Sequence, residues 1–166
     1  MSSVAKTTVF ATINDMKNQI EMRQAISEDA EAIRTLTREA YAKWVPLIGR
    51  EPLPMSADYQ EALRKHRFDL LFIDGTLVAL IETSSHDQHL LIENVAVSPA
   101  FQGGGLGKKL LAQAEQLAAS LGYAEIKLYT NKLFAENLTF YKQLGYRVER
   151  EEDFMDSVCV HMNKIV

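Results

Sequence analysis

The stretch from Val95 to Lys108 constrains this chain more than any other. An apolar segment, Val95-Ala96-Val97, passes through Ser98-Pro99-Ala100-Phe101 into Gln102-Gly103-Gly104-Gly105-Leu106-Gly107-Lys108 and then directly into a long helical pattern. A strand, a glycine-rich loop and a helix start in that order make an anion site. The first amides of the helix have no internal acceptor, the macrodipole puts partial positive charge there, and glycines let phosphate oxygens approach the main chain. The ligand this implies is a diphosphate. Two familiar loops fail on spacing. A P-loop needs a glycine where Gln102 stands and a hydroxyl residue where Lys109 stands. A dinucleotide fingerprint opening at Gly103 needs glycine or alanine at the position of Lys108, and one opening at Gly105 needs it at Leu110. The pattern that fits is Gln-x-x-Gly-x-Gly, on Gln102, Gly105 and Gly107.

The flanking sequence supplies the rest of an α/β (α+β) domain. Residues 1–20 carry no clear period and read as an N-terminal extension, leaving residues 21–166 as a single domain. A strand is expected from Met22 to Ile26, then a helix whose apolar positions Ala30, Ile33, Leu36, Ala40 and Tyr41 recur on one face. Three prolines and Gly49 between Trp44 and Met55 argue against helix there and leave an apolar loop that either lids a pocket or plugs the core. A short helix from about Ser56 to Lys65 follows, capped by Ser56. Asp74-Gly75 between two apolar runs marks a hairpin, and His89 to Val97 reads as a buried strand interrupted by Glu93 and Asn94. A helix from Leu106 to Leu121 ends at Gly122; a strand over Ala124 to Tyr129, a helix over Leu133 to Leu144 and two closing strands complete the chain. This order predicts a central mixed, mostly antiparallel sheet of about six or seven strands with helices on both faces.

Composition narrows the partners. With 166 residues the chain is long enough to bury its own core, and one cysteine, Cys159, excludes an internal disulfide and any cysteine cluster. A net charge of −4, with basic residues in nothing longer than pairs such as Lys108-Lys109, argues against nucleic acid. No apolar run approaches the length of a membrane span, so the expected partner list excludes the membrane and the expected location is cytoplasmic. His86 and His89 lie in a polar turn with no third ligand in view, and His66 and His161 have no visible partner, so no metal is expected.

At this point the chain resembles the GNAT superfamily of N-acetyltransferases, whose pyrophosphate loop reads Arg/Gln-x-x-Gly-x-Gly/Ala after a strand like Val95-Ala96-Val97. The resemblance runs from about Met22 to Asn163 and includes a second region, Asn131, Asn137 and Tyr141 followed by Leu144-Gly145-Tyr146. The segment Ile48 to Met55 also looks like that of one bacterial subgroup. What the resemblance implies is the GNAT fold and acetyl-CoA as cosubstrate. Its pantetheine arm would pair with the backbone of Val95, Ala96 and Val97, and its pyrophosphate would sit on the loop formed by Gln102, Gly103, Gly104, Gly105, Leu106, Gly107 and Lys108. Asn131, Asn137 and Tyr141 would be further cofactor contacts, and the oxyanion would fall to the main-chain N–H around Val95.

Acetyl transfer from a thioester to an amine needs a neutral nucleophile, a stabilised oxyanion and a proton for the departing thiolate. Tyr141, one helical turn after Asn137, is the candidate general acid, the role the corresponding tyrosine has in the family. Glu93, a carboxylate in an apolar strand beside the cofactor-pairing segment, is the candidate general base; an amine anchor or a structural partner of Asn94 are the competing roles. Trp44 and Tyr41 could line an amine pocket or simply belong to the core. The acceptor is expected to be a primary amine on a small molecule or peptide. A homodimer through the last strand or the extension is a further expectation. The competing function is a catalytically silent GNAT-like module that binds acetyl-CoA as a sensor or docking domain. Tyr141 and Glu93 argue against it, and acceptor-dependent release of CoA separates the two readings.

Overall fold

The structure, a computed structural model, describes residues 19–166, so nearly all of the extension expected over residues 1–20 lies outside the described residues. Seven strands form one sheet: β1 (Ile20–Gln24), β2 (Arg67–Ile73), β3 (Thr76–Ser85), β4 (His89–Val97), β5 (Glu125–Asn131), β6 (Arg147–Phe154) and β7 (Ser157–Ile165). Their order across the sheet is β1-β2-β3-β4-β5-β7-β6. Only β4 and β5 run parallel, joined by the crossover helix that a parallel pair requires. The helices are α1 (Ala30–Tyr41), α2 (Val45–Ile48), α3 (Tyr59–Lys65), α4 (Leu106–Ser120) and α5 (Ala135–Gln143).

The middle strands read as unbroken apolar runs because both of their faces are covered. Leu71, Ala79 and Ile81 pack with Leu110, Leu111, Ala114 and Ala118 of α4. Their neighbours Leu70 and Leu80 point the opposite way, onto Ile33 and Leu36 of α1 and Tyr59 of α3. The β2–β3 hairpin turns at Asp74 and Gly75, which take φ of 49° and 80°, the left-handed pair expected of Asp-Gly.

Three expectations shift. The segment after Trp44 is not a plain loop: Pro46 sits in the first turn of α2, where its missing N–H costs nothing, and a second short turn covers Leu53–Met55. The cap of α3 is Asp58, whose carboxylate accepts from the Glu61 N–H at 3.1 Å, rather than Ser56. The closing hairpin is longer than its apolar residues suggest. All eight residues of β6 are exposed, so the charged run Glu149 to Asp153 can sit in a strand without burying a charge.

Two irregularities position the site. Glu82 pairs with Asn94 and Thr83 with Ile92, which leaves Glu93 as the extra residue of a β-bulge in β4. Immediately beside it, the β4–β5 ladder ends at Ile92–Leu128 although both strands continue, to Val97 and Asn131. Past that point β4 has lost its parallel neighbour, and its open edge faces the gap between the strands.

Candidate active site

The open edge carries two carbonyls held by side chains instead of a strand. Tyr41 Oη lies 3.3 Å from Val95 O, the weaker arm of a bifurcated bond whose stronger arm goes to Asn94, and Gln102 Nε2 donates to Val97 O at 3.1 Å. Gln102 thereby ties the glycine loop to the strand end. Within that loop Gly103 and Gly105 have φ of 82° and 83°, and Gly105 stands at the N-cap of α4. A side chain at either would be strained, which is why the turn into the helix is built of glycine. The first helical bond runs from Lys109 N–H to Gly105 O at 3.0 Å, so the amides of Leu106, Gly107 and Lys108 precede any helical acceptor. No acidic residue occupies this first turn. A Cβ on Gly107 would meet the Phe140 ring of α5 at 3.5 Å, an ordinary packing contact.

Two cavities open on this edge. The larger, about 430 Å³, runs along Val95, Val97 and the loop from Gln102 to Lys108, and is bounded by Trp44 and Asn137. Trp44 is buried and stacks on Phe134 with ring centroids 4.3 Å apart. Lys43 and Glu136 form an ion pair of 3.3 Å on the walls of this groove. The smaller, about 110 Å³, lies between Glu93, Tyr129 and the proline-containing segment, whose Ile48, Arg50 and Pro52 form one wall. Both alternatives for that segment are therefore realised, because its Trp44 and Met55 are buried while the residues between them cover the small cavity. Arg38 anchors the segment through Glu51 and Met55 O, and Tyr59 Oη through Pro54 O at 2.5 Å.

Tyr41, Val95, Asn137 and Tyr141 line both cavities and mark their junction. The two phenols there differ. Tyr41 donates to Asn94 Oδ1 at 2.8 Å, and buried Asn94 reaches Thr37 and Tyr59 with its amide. Tyr141 makes no side-chain hydrogen bond among the described residues, and burial pushes its phenol up to about 12.

Glu93 is half-buried at the bulge, not buried as its apolar strand suggested. One oxygen accepts from Ser84 Oγ at 2.8 Å and the other from Tyr129 Oη at 2.9 Å; Ser84 is 3.0 Å from Nε2 of exposed His86, which stacks on His89. The buried carboxylates of the sheet are Asp69 and Glu82, and burial raises Glu82 against the opposing effect of His66, whose Nδ1 is 2.6 Å away. Asn131, expected at the cofactor, lines the small cavity instead, and its Oδ1 accepts from Leu133 N–H at 2.9 Å and Ser157 Oγ at 3.0 Å. Ala96 is buried on the α1 side, pairs with Leu80 of β3 and lines neither cavity. Gly104 is exposed in the loop. Sequence reasoning missed Tyr129 and Ser84, which lie in no local pattern, and met Arg50 only as part of the segment Ile48 to Met55.

A helix start with free amides after a glycine-rich loop is a ready site for an anion such as a diphosphate. Residues 30–146 match the acetyltransferase (GNAT) family. The chain belongs to that family. It is an acetyl-CoA-dependent acyltransferase of the N-acetyltransferase type. Spermidine N(1)-acetyltransferase of Thermoplasma acidophilum is 26% identical over 145 residues, covering 78% of this chain and 89% of that one. Among solved structures, the PaiA N-acetyltransferase of the same organism, in complex with coenzyme A, superposes with a TM-score of 0.76 at 24% identity, covering 89% of this acetyltransferase and 99% of that chain. The ribosomal-protein-S18-alanine N-acetyltransferase of Escherichia coli superposes at 0.73 with 18% identity, over 89% and 94%. At these identities the structural likenesses establish the fold. No helix among the described residues is long and apolar enough to cross a membrane.

Proposed function

We propose that this acetyltransferase moves the acetyl group of acetyl-CoA directly to a primary amine seated in the small cavity, with Tyr141 as general acid and Glu93 as general base. The observation that carries this reading is the position of Tyr141, a protonated phenol with an unengaged hydroxyl where the two cavities meet. The large groove takes the cofactor. Its pantetheine lies along the open edge of Val95, Ala96 and Val97, and its pyrophosphate lies on the loop from Gln102 to Lys108, with Asn137 at the arm.

The amine nitrogen attacks the thioester carbonyl, and the main-chain N–H near Val95 stabilises the oxyanion. As the C–S bond breaks, the thiolate takes the Tyr141 proton. The new ammonium loses its proton to Glu93. From there Ser84 and exposed His86 lead toward solvent, and the Tyr141 phenolate is reprotonated from solvent before the next turnover. The acceptor is a small amine, a choice supported by the spermidine acetylation named for the T. acidophilum relative and by the size of the cavity. Among the described residues Arg50 is the sole guanidinium or ammonium lining that cavity, and it stands on a different element from Glu93, so the two charges can orient a polar acceptor between them.

The test is acetyl-CoA calorimetry on the wild type and on Gly104→Glu, followed by an amine panel scored by CoA release. Gly104 is preferable to Gly105 because its backbone is not left-handed and an added Cβ meets only Phe101 O at 3.5 Å. Saturable wild-type binding that weakens at least tenfold in the folded variant, with acceptor-dependent CoA release, is the expected result. Binding without release for any amine would mean a silent sensor. No wild-type binding would overturn the cofactor assignment.

A further inference from the structure

Beyond the two cavities, the far wall of the sheet gathers three different ligand types. Cys159 and His161 alternate on one face of β7, and Glu152 pairs with Cys159 across the β6–β7 ladder. One ligand atom from each lies within 4.8 Å of the others. Cys159 Sγ is 3.6 Å from His161 Nε2, and that nitrogen is 2.6 Å from Glu152 Oε1. Cys159 also lines the small cavity, and the His161 ring lies 6.2 Å from Tyr129, which holds Glu93.

We propose that Glu152, Cys159 and His161 form a binding site for a borderline-soft divalent cation of the zinc type, on the rim of the small cavity. The donor set is one thiolate, one imidazole and one carboxylate, which suits zinc better than magnesium or calcium. The geometry agrees. Zinc–sulfur and zinc–nitrogen bonds of about 2.3 and 2.05 Å at a tetrahedral angle place sulfur and nitrogen roughly 3.5 Å apart, close to the observed 3.6 Å. The carboxylate must retreat by under about 1 Å, since its present contact with His161 is a hydrogen bond shorter than a tetrahedral edge. Glu152 is half exposed on an edge strand, so that adjustment meets no packed neighbour. Three protein ligands leave a fourth position for water or an incoming donor, as in open rather than structural zinc sites.

Binding releases the thiol proton as the Zn–S bond forms. The Arg150 guanidinium lies 3.1 Å from the other oxygen of Glu152, Oε2, and leaves Oε1 to the metal. The inference does not depend on the catalytic assignments, because none of its three ligands belongs to the acid, the base or the cofactor groove.

The experiment is a cobalt(II) titration of the reduced full chain, followed by ultraviolet–visible spectroscopy and then a zinc chase. Cys159 is the only cysteine, so a thiolate-to-cobalt charge-transfer band reports this position alone. The expected result is that band together with the intense visible absorption of four-coordinate cobalt, saturating at one equivalent and erased by zinc. Cys159→Ser should lose the charge-transfer band, and His161→Ala and Glu152→Gln should each weaken binding at least about tenfold. Glu152 is on the exposed edge strand, so Glu152→Gln keeps the test sound if His161→Ala folds poorly. Absence of the band in the wild type would overturn the proposal, and so would unchanged affinity in Glu152→Gln.

Discussion

Tyr41 and Tyr141 meet at the junction of the two cavities, yet their hydroxyls have different occupations, and substitution separates them. Tyr141→Phe should lower kcat by about 10² or more, the contribution of a general acid, while the acetyl-CoA Kd measured by calorimetry changes little. Burial raises this phenol to about 12, so the protonated acid form persists below that pH and is lost only as pH rises through it. A kcat profile between about pH 7 and 10 should therefore show no descending limb from Tyr141, whose ordinary value is near 10. Tyr41→Phe should do the reverse. It leaves buried Asn94 Oδ1 without its 2.8 Å donor, at a cost of about 1–3 kcal/mol in denaturant unfolding. Tyr141 was legible because Asn137 and the Leu144-Gly145-Tyr146 sequence stand beside it. Tyr41 could be read as a pocket or core residue, but its bond to Asn94 could not, because that partner lies fifty-three residues away and nothing local in α1 marks the contact.

At the scale of elements, the entry to α1 depends on a single carboxylate. Asp29 accepts from both Arg23 guanidinium nitrogens at 2.8 Å and from the Ile26 N–H at 2.8 Å, which joins β1 to the helix. The Arg23 hydrogen bonds hold its carboxyl below the ordinary range, so its stabilisation is present above pH ~4 and is lost as pH falls through the lowered value. Asp29→Asn should cost about 1 kcal/mol at neutral pH and lower Tm by roughly 2–4 °C. Thermal scans at successively lower pH should show the gap closing, and a gap that stays constant with pH would rule out the ion pair as its source. Helix starts and the β2–β3 turn were readable because local chemistry decides them. The length of β6 was not, since its charged residues become strand-compatible only by pairing with β7 on an edge where every side chain remains in water.

At the scale of the whole molecule, the site is a gap in the sheet. The ladder between β4 and β5 stops at Ile92–Leu128, beside the bulge at Glu93, and the cofactor would fill the space that follows. A ligand that bridges the two halves of the sheet stabilises the native state alone. Acetyl-CoA at a hundred times its Kd should therefore add about 2.7 kcal/mol and raise Tm by roughly 5–10 °C. Scanning fluorimetry reads this directly, and a tenfold loss of affinity in Gly104→Glu should cut the shift to roughly half. The sequence by itself determined the glycine loop, the helix it opens, the α/β order and the family, because each rests on residues adjacent in the chain. Only the tertiary structure decided that β4 and β5 part company, that Glu93 is held by Ser84 and Tyr129, and that Cys159, His161 and Glu152 converge. Tyr129 reaches Glu93 across thirty-six residues, while Ser84 with Glu93 and Glu152 with His161 face one another across hairpins, where strand register, which no local pattern encodes, sets the partners.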